Sequence, residues 1–196
     1  LSILSWPILF SFFRKFWDRG YVFTKISSLL SVTYIIFVLG VFKFVPFTSA
    51  SLFAIILTLV FVNYLFLRQK TNLADFIDTL KSKWLVFLFE EILFVTVLLL
   101  WSYVRSFSPD IESLEKFMDW GFVNSALRST YMPPVDMWFA SEPINYYYFG
   151  HYLAGFLTKL SGVFPTIAYN FQMSLIFSLA ASSSFSLAAA ISKGIG

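Results

Sequence analysis

The sequence predicts an all-α membrane protein, a polytopic bundle of transmembrane helices. Hydrophobic residues make up 58% of the 196 residues and charged residues only 13%, about half the charged share of a typical soluble domain. The apolar residues also form continuous runs, and several reach the roughly 20 residues that a helix needs to cross a bilayer core. Because these runs do not alternate apolar with polar residues, they favour helices over the strands of a membrane barrel.

Five apolar runs are the predicted spans of one membrane domain that covers residues 1–196. In chain order they are residues 26–44, 49–67, 84–104, 144–160 and 165–191. Residues 105–143 are polar, aromatic and proline-containing, so they are predicted to form a loop outside the membrane core. The chain starts at Leu1 and stops just past an apolar run, so we expect it to be a piece of a larger protein.

Basic residues predict the orientation. Residues 14–25 and 68–83 each carry four Lys or Arg, and alternate counting of the spans puts both segments on the same side. The positive-inside rule makes that side cytoplasmic, so we expect a multi-pass cell-membrane protein whose loop 105–143 is extracytoplasmic. The same rule accounts for the net charge of +3, because most of the basic residues flank the apolar runs. We therefore expect the lipid bilayer as a partner and no nucleic acid. The chain has no cysteine, which excludes disulfides and thiolate metal sites.

A short helix is predicted inside the outer loop, over residues 111–127. Asp110 is placed to cap it, and Ile111, Leu114 and Met118 recur at helical spacing. An apolar face of this kind needs lipid or protein to cover it, so we expect the helix to lie along the outer membrane surface.

Three carboxylates share one face of that predicted helix. Glu112, Glu115 and Asp119 stand at positions i, i+3 and i+7, where like charges repel one another. One interpretation is a solvated face with Lys116 nearby. The other is a cluster kept for general-base catalysis or for a divalent cation, which prefers oxygen ligands.

Two aromatic segments follow, and each contains polar residues that invite a functional interpretation. Asp136 stands between a Pro-Pro pair and Trp138-Phe139, although the aromatic residues alone are typical of a membrane-interface belt. Tyr146, Tyr147 and Tyr148 open the fourth predicted span, and interfacial anchoring explains such a run equally well. On a helix from residue 144, Asn145, Tyr148 and Tyr152 would share a face, and Gly150 with Ala154 would allow close helix packing.

His151 is the single histidine of the chain and lies within an apolar run. Ionisable side chains in such a place are costly and usually functional, but a hydrogen bond to a neighbouring helix is the alternative. Glu90 and Glu91 pose the same question in the third predicted span. They point to different faces, and we favour pairing with a basic residue over proton-coupled transport.

Several motifs together resemble the uncharacterised "YYY" membrane protein family, named for its triple tyrosine. They are residues 18–21, 115–119, 133–140, 144–152 and 168–170. That family is grouped with the GT-C glycosyltransferases, multispanning enzymes that take a sugar from a polyprenyl-phosphate carrier and use an essential acid in an outer loop.

The resemblance implies a GT-C-like fold and a transferase that uses a polyprenyl-phosphate-linked sugar donor on the outer face of the membrane. In this hypothesis Asp119 is the general base, with Glu115 and Asp136 as further catalytic acids, and Asp119 faces Asn145 and His151. The implied substrate-binding residues are Arg128, Lys116, Asn145, Tyr146, Tyr147, Tyr148 and His151. The need for a metal ion stays open, with a divalent cation as one possibility.

Two other classes of function compete with the transferase hypothesis. The first is a membrane transporter or lipid-handling protein in which Glu90, Glu91 and His151 line a polar path. The second is a structural membrane component without chemistry.

Overall fold

The computed structural model describes residues 2–112 and 115–194, and the elements within these ranges are helices. They are α1 (Ser2–Phe12), α2 (Tyr21–Val41), α3 (Ser49–Leu67), α4 (Lys70–Ser106), α5 (Lys116–Arg128), α6 (Phe149–Ser161) and α7 (Pro165–Gly194). The predicted all-α fold class is therefore confirmed for the part of the chain that the structure describes.

Four of the described helices are long and apolar enough to cross a membrane. They are Tyr21–Val41, Ser49–Leu67, Asn72–Ser106 and Pro165–Ser192. The second matches its predicted bounds, and the first begins about one turn earlier than predicted. Helical membrane protein is thus the class that the fold defines.

Helix α4 corrects the predicted polar connection at residues 68–83, because the chain is helical from Lys70 onward. That segment contains neither glycine nor proline, so its charged residues continue the helix instead of breaking it. At about 1.5 Å per residue, the 37 residues of α4 extend to roughly 55 Å. Since a bilayer core is only about 30 Å thick, part of α4 must extend beyond it.

Helix α6 corrects the predicted span at residues 144–160. It begins at Phe149 and has 13 residues, about 20 Å of helix, which is too short to cross the core. The residues before it are held in a different conformation. Val135 and Pro143 form an isolated antiparallel bridge, and the Ile144 amide donates to the Pro134 carbonyl oxygen at 2.9 Å.

Helix α5 corrects the predicted outer-loop helix over residues 111–127. The helix starts at Lys116, and Glu115 rather than Asp110 occupies the N-cap position. Ile111 and Glu112 are not helical, while Ser113 and Leu114 lie outside the described residues. The predicted carboxylate stripe is therefore wrong for Glu112, because that residue is not on the helix.

The chain divides into two compact units. The first unit comprises Leu1–Ser31, Ile56–Tyr103 and Ser174–Gly196, and the second comprises Val32–Ile55 and Val104–Met173. In the first unit, the buried Trp6 ring packs edge-on against Tyr21, Phe76 and Phe87, with centroid distances of 4.7 to 5.2 Å. In the second unit, Tyr152 is fully buried against Phe37 and Phe47, and its hydroxyl donates to the Thr33 carbonyl oxygen at 3.0 Å.

A glycine brings α5 and α6 close together in the second unit. A Cβ atom added at Gly155 would lie 3.3 Å from the Ala126 Cβ and 3.5 Å from the Val123 carbonyl oxygen. The predicted close contact at Gly150 is wrong, since a Cβ there meets nothing within 4 Å. The close contact with α5 therefore lies at Gly155, five residues further along α6 than expected.

Candidate functional site

Asp119 and His151 form a hydrogen-bonded pair in the second unit. Asp119 lies in the first turn of α5 and His151 in the first turn of α6. His151 Nε2 is 2.9 Å from Asp119 Oδ1, so the predicted proximity of these two side chains is confirmed. The His151 side chain is 18% exposed and the Asp119 side chain 27%, which leaves the pair partly accessible.

The chemistry of the pair follows from which atom carries the proton. When Asp119 is a carboxylate it can only accept, so the bonded Nε2 of His151 must donate. In the neutral imidazole, Nδ1 is then the acceptor. This atom is buried and has no hydrogen-bond partner among the described residues. His151 Nδ1 can therefore still accept one hydrogen bond.

Aromatic rings border the pair. The Phe122 ring lies 5.3 Å from the His151 ring, nearly edge-on, and 5.8 Å from the Tyr146 ring. The Tyr146 and Tyr147 rings are 3.9 Å apart, and the Tyr146 hydroxyl donates to the Tyr147 hydroxyl at 2.6 Å. The site therefore combines an acid–histidine pair with aromatic faces and tyrosine hydroxyls.

Two acids and a hydrogen bond act on the Tyr146 hydroxyl. The hydrogen bond to Tyr147 raises the pKa of Tyr146 to about 12, and the negative charges of Glu115 and Asp119 act in the same direction. Tyr146 is consequently neutral at physiological pH and can donate a hydrogen bond. Glu115, a predicted catalytic acid, is exposed at the start of α5 and belongs to these surroundings.

Two residues of the site were not predicted from sequence. Phe122 forms the apolar wall beside His151. Tyr169 packs edge-on against Trp120 with ring centroids 5.7 Å apart, and its hydroxyl lies close enough to interact with the Asp119 carboxyl. Tyr169 belongs to one of the motifs that carry the family resemblance, which is the only signal that could have indicated it.

Arg128 and Asp136 line a different place in the second unit, a pocket of about 770 Å³. Lys43 and several hydroxyl-bearing residues also line it, so cationic side chains outnumber acidic ones. Arg128 stands nine positions after Asp119 on α5, which corresponds to about 14 Å of rise and opposite helix faces. The structure thus pairs Asp119 with His151 and groups Arg128 with Asp136, without joining the two groups.

Asp136 stabilises a turn. Its Oδ1 accepts hydrogen bonds from the backbone N–H groups of Trp138 at 2.8 Å and Phe139 at 3.0 Å. These bonds, the one from Phe139 foremost, hold the pKa of Asp136 below its usual value, because they stabilise the carboxylate. An acid between prolines and aromatic residues therefore has a structural explanation.

The remaining predicted residues occupy varied positions. Lys116 Nζ donates to the Asp110 carbonyl oxygen at 3.2 Å, and Asn145 is exposed before α6 begins. Tyr148 is the N-cap residue of α6 rather than part of a helical face. Within residues 2–112 and 115–194, no three His, Asp or Glu side chains come together as a group that could hold a metal ion.

Glu91 is paired, as favoured from the sequence. In the first unit its carboxylate forms an ion pair with Lys25 and accepts a hydrogen bond from the Tyr21 hydroxyl. Glu90 has different surroundings, because its side chain is fully buried and both carboxyl oxygens lack a hydrogen-bond partner among the described residues.

Fold and site together define a helical integral membrane protein with an acid–histidine pair in the loop region that follows its third long span. The chain belongs to the family described as Uncharacterized membrane protein (DUF2298), whose model matches residues 31–196. Neither a curated protein nor a solved structure matches the chain. The family carries no assigned activity, so any reaction must be argued from the geometry of the site.

Proposed function

We propose that this chain is the membrane part of a GT-C-like transferase that moves a sugar from a polyprenyl-phosphate carrier to an acceptor hydroxyl. The observation that carries the proposal is the 2.9 Å hydrogen bond between His151 and the partly exposed Asp119. A lipid-linked donor also suits a chain with four helices long and apolar enough to cross a membrane among its described residues.

Asp119 is the proposed general base. Its carboxylate takes the proton of the acceptor hydroxyl, whose oxygen bonds to the anomeric carbon of the sugar. The bond between that carbon and the carrier phosphate breaks, and the phosphate leaves with the electron pair. We assign the base to Asp119 because it is the more exposed member of the pair, while His151 Nε2–H holds one carboxylate oxygen in place.

The tyrosine pair is assigned to the leaving phosphate. The Tyr146 hydroxyl donates a hydrogen bond to the Tyr147 hydroxyl, so the Tyr147 O–H can itself donate to a phosphate oxygen. Tyr147 is also accessible, since 69% of the residue is exposed. Donors aimed at developing negative charge are a general means of lowering a reaction barrier. Because Arg128 faces another pocket, we assign it, with Lys43, to a second anionic group of a substrate.

The proposed orientation places the loop between α4 and α7 outside and the charged first part of α4 in the cytoplasm. Residues 1–196 contain no cysteine, so single cysteines at the exposed positions Glu112 and Lys81 are the labelling sites within this chain, and the unsubstituted protein is the control. An impermeant thiol reagent should reach Glu112→Cys from outside and Lys81→Cys only after the membrane is opened. Labelling of both from one side would contradict the orientation.

The transfer reaction is tested in membranes that contain the full-length protein and a radiolabelled polyprenyl-phosphate sugar. Asp119→Asn keeps the shape of the side chain but removes the base, so the rate should fall by about a hundredfold to ten-thousandfold. Asp110→Asn makes the same change at an exposed acid of the same segment and should leave the rate unchanged. Equal rates for Asp119→Asn and wild type would exclude Asp119 as the base.

The transporter alternative is decided by the same preparation. If the wild type uses no polyprenyl-phosphate sugar from a panel that varies in sugar and chain length, the transferase proposal fails and transport or lipid handling becomes the better interpretation. If transfer occurs and depends on Asp119, transport is not needed to explain the site.

A further inference from the structure

A second group of acids lies in the first unit, away from the residues used in the proposed transferase. Asp18 precedes α2, and Glu90 lies near the middle of α4. Both side chains are fully buried. Their carboxyls lie close enough for an electrostatic interaction, and Lys25 and Glu91 also act on Glu90.

Asp18 is surrounded by hydrogen-bond donors. Its Oδ1 accepts from the Gly20 amide at 2.9 Å, and its Oδ2 accepts from the Ser186 hydroxyl at 3.0 Å and the Val22 amide at 3.3 Å. Gly20 permits this turn because its φ is 73°, a left-handed value that side chains disfavour. Several donors around one carboxyl group are the arrangement that suits a carboxylate.

Glu90 lacks such donors. Neither of its carboxyl oxygens has a hydrogen-bond partner among the described residues. The nearby cation, Lys25, already forms an ion pair with Glu91, which also accepts the Tyr21 hydroxyl. A second buried carboxylate without a partner is strongly unfavourable, whereas a carboxylic acid can donate its own proton to a neighbouring acceptor.

We infer that Asp18 and Glu90 form a proton-binding site, in which a proton on the Glu90 carboxyl is shared with the Asp18 carboxylate. The titratable groups that act electrostatically with Glu90 are Asp18, which precedes α2, Tyr21 and Lys25 on α2, and the adjacent Glu91 on α4. With one proton bound, the cluster of three acids and one lysine carries a single net negative charge. Without it, two uncompensated negative charges would be buried together.

Helix α7 adds a polar row that ends at this site. Ser174, Ser178, Ser182 and Ser186 recur at four-residue spacing, and all are fully buried. Ser178 and Ser182 donate to carbonyl oxygens one turn earlier at 2.7 Å, and Ser186 donates to Asp18. The row brings buried hydroxyl groups up to the acid pair, where Ser186 contacts Asp18.

Infrared difference spectroscopy of the full-length protein in lipid tests directly whether Glu90 carries a proton, because a carboxylic acid and a carboxylate absorb at different frequencies. At neutral pH, the wild type should show a carboxylic-acid band that shifts in D₂O. Glu90→Gln should abolish it, and Glu112→Gln, the same change at an exposed acid, should leave it unchanged. A wild-type spectrum with no such band, or a band that Glu90→Gln does not remove, would overturn the proposal.

Two further arms keep the test decisive. If Glu90→Gln does not fold, ¹³C-labelled glutamate in the wild type must shift the acid band, and an unshifted band excludes Glu90. Exchange of K⁺ for Na⁺ at constant ionic strength should leave the band in place. Loss of the band in Na⁺ would mean that the two carboxyls bind sodium instead of a proton and would overturn the proposal.

Discussion

Asp119 in the second unit and Glu90 in the first unit are both acids on helices, yet their surroundings differ in two respects. Asp119 is 27% exposed and hydrogen-bonded to His151. Glu90 is fully buried, and its carboxyl oxygens are without partners among the described residues. In our proposals the accessible acid takes a proton from the substrate in every turnover, whereas the enclosed acid keeps its proton.

The largest expected effect is on the rate of sugar transfer, and it tests whether Asp119 and His151 act together. His151→Ala alone should slow sugar transfer by about a hundredfold or more, because it removes the group that is hydrogen-bonded to the proposed base. In the Asp119→Asn background the same change should cost little further, since residues that act together have non-additive effects. Transfer rates of the four proteins give the result, and multiplicative losses would show two independent roles.

Packing between α5 and α6 is expected to have the next largest effect. Gly155→Val should destabilise the protein by about 1–3 kcal/mol, because the added side chain meets α5 at the contact that places Asp119 beside His151. Gly150→Val carries the same helix-propensity change into open space and serves as the matched control. Denaturant unfolding in detergent measures both, and equal losses of stability would exclude a special role for Gly155.

A smaller effect concerns the tyrosine pair. Tyr147→Phe removes the hydrogen bond that favours neutral Tyr146, so the pKa of Tyr146 should fall from about 12 toward about 10. Titration of ¹³C-labelled tyrosine by NMR measures the change. Tyr148→Phe removes the adjacent hydroxyl and should leave the Tyr146 titration in place. An unchanged value in Tyr147→Phe would show that the two hydroxyls are not bonded in solution.

The smallest effect should appear at the Asp136 turn. Since folding lowers the pKa of this carboxyl, the turn is stabilised above the unfolded value of about 3.9. That stabilisation is lost as the pH falls through the lower folded value. Hydrogen-exchange protection of the Trp138 and Phe139 amides should therefore decrease in acid. In Asp136→Asn, which retains an acceptor oxygen but cannot titrate, the decrease should disappear.

The position of a helix could be predicted where the residues of the helix itself determine it, and not where contacts with other segments do. The apolar run at residues 49–67 matches α3 because span length and composition suffice there. The start of α6 was missed because Ile144 is hydrogen-bonded to Pro134, ten residues earlier, instead of belonging to the helix. The apolar run that predicted the span does not report this pairing. The extension of α4 was missed because the charged residues at 68–83 were assigned to a polar connection between two spans.

The candidate site was predictable only in part for the same reason. Asp119 stood out as one of three acids on a predicted helix face, and His151 as an ionisable residue in an apolar run. Both lie at helix starts, where their contact is observed. The roles of Phe122 and Gly155 depend on the approach of two helices, which single residues do not encode. Asp136 stood out equally but bonds its own turn, because sequence alone does not show where a side chain finds its donors.

The Asp119–His151 hydrogen bond is tested most directly by ¹⁵N NMR of the imidazole. His151 is the single histidine in residues 1–196, so ¹⁵N-histidine labelling of this chain reports one ring, and His151→Gln identifies its signals. Asp119→Asn should shift the Nε2 resonance substantially because it replaces the anionic acceptor, while Asp110→Asn should leave both ring nitrogens unchanged. Identical imidazole spectra for wild type and Asp119→Asn would show that the two side chains are not bonded, and the proposed base would lose its structural foundation.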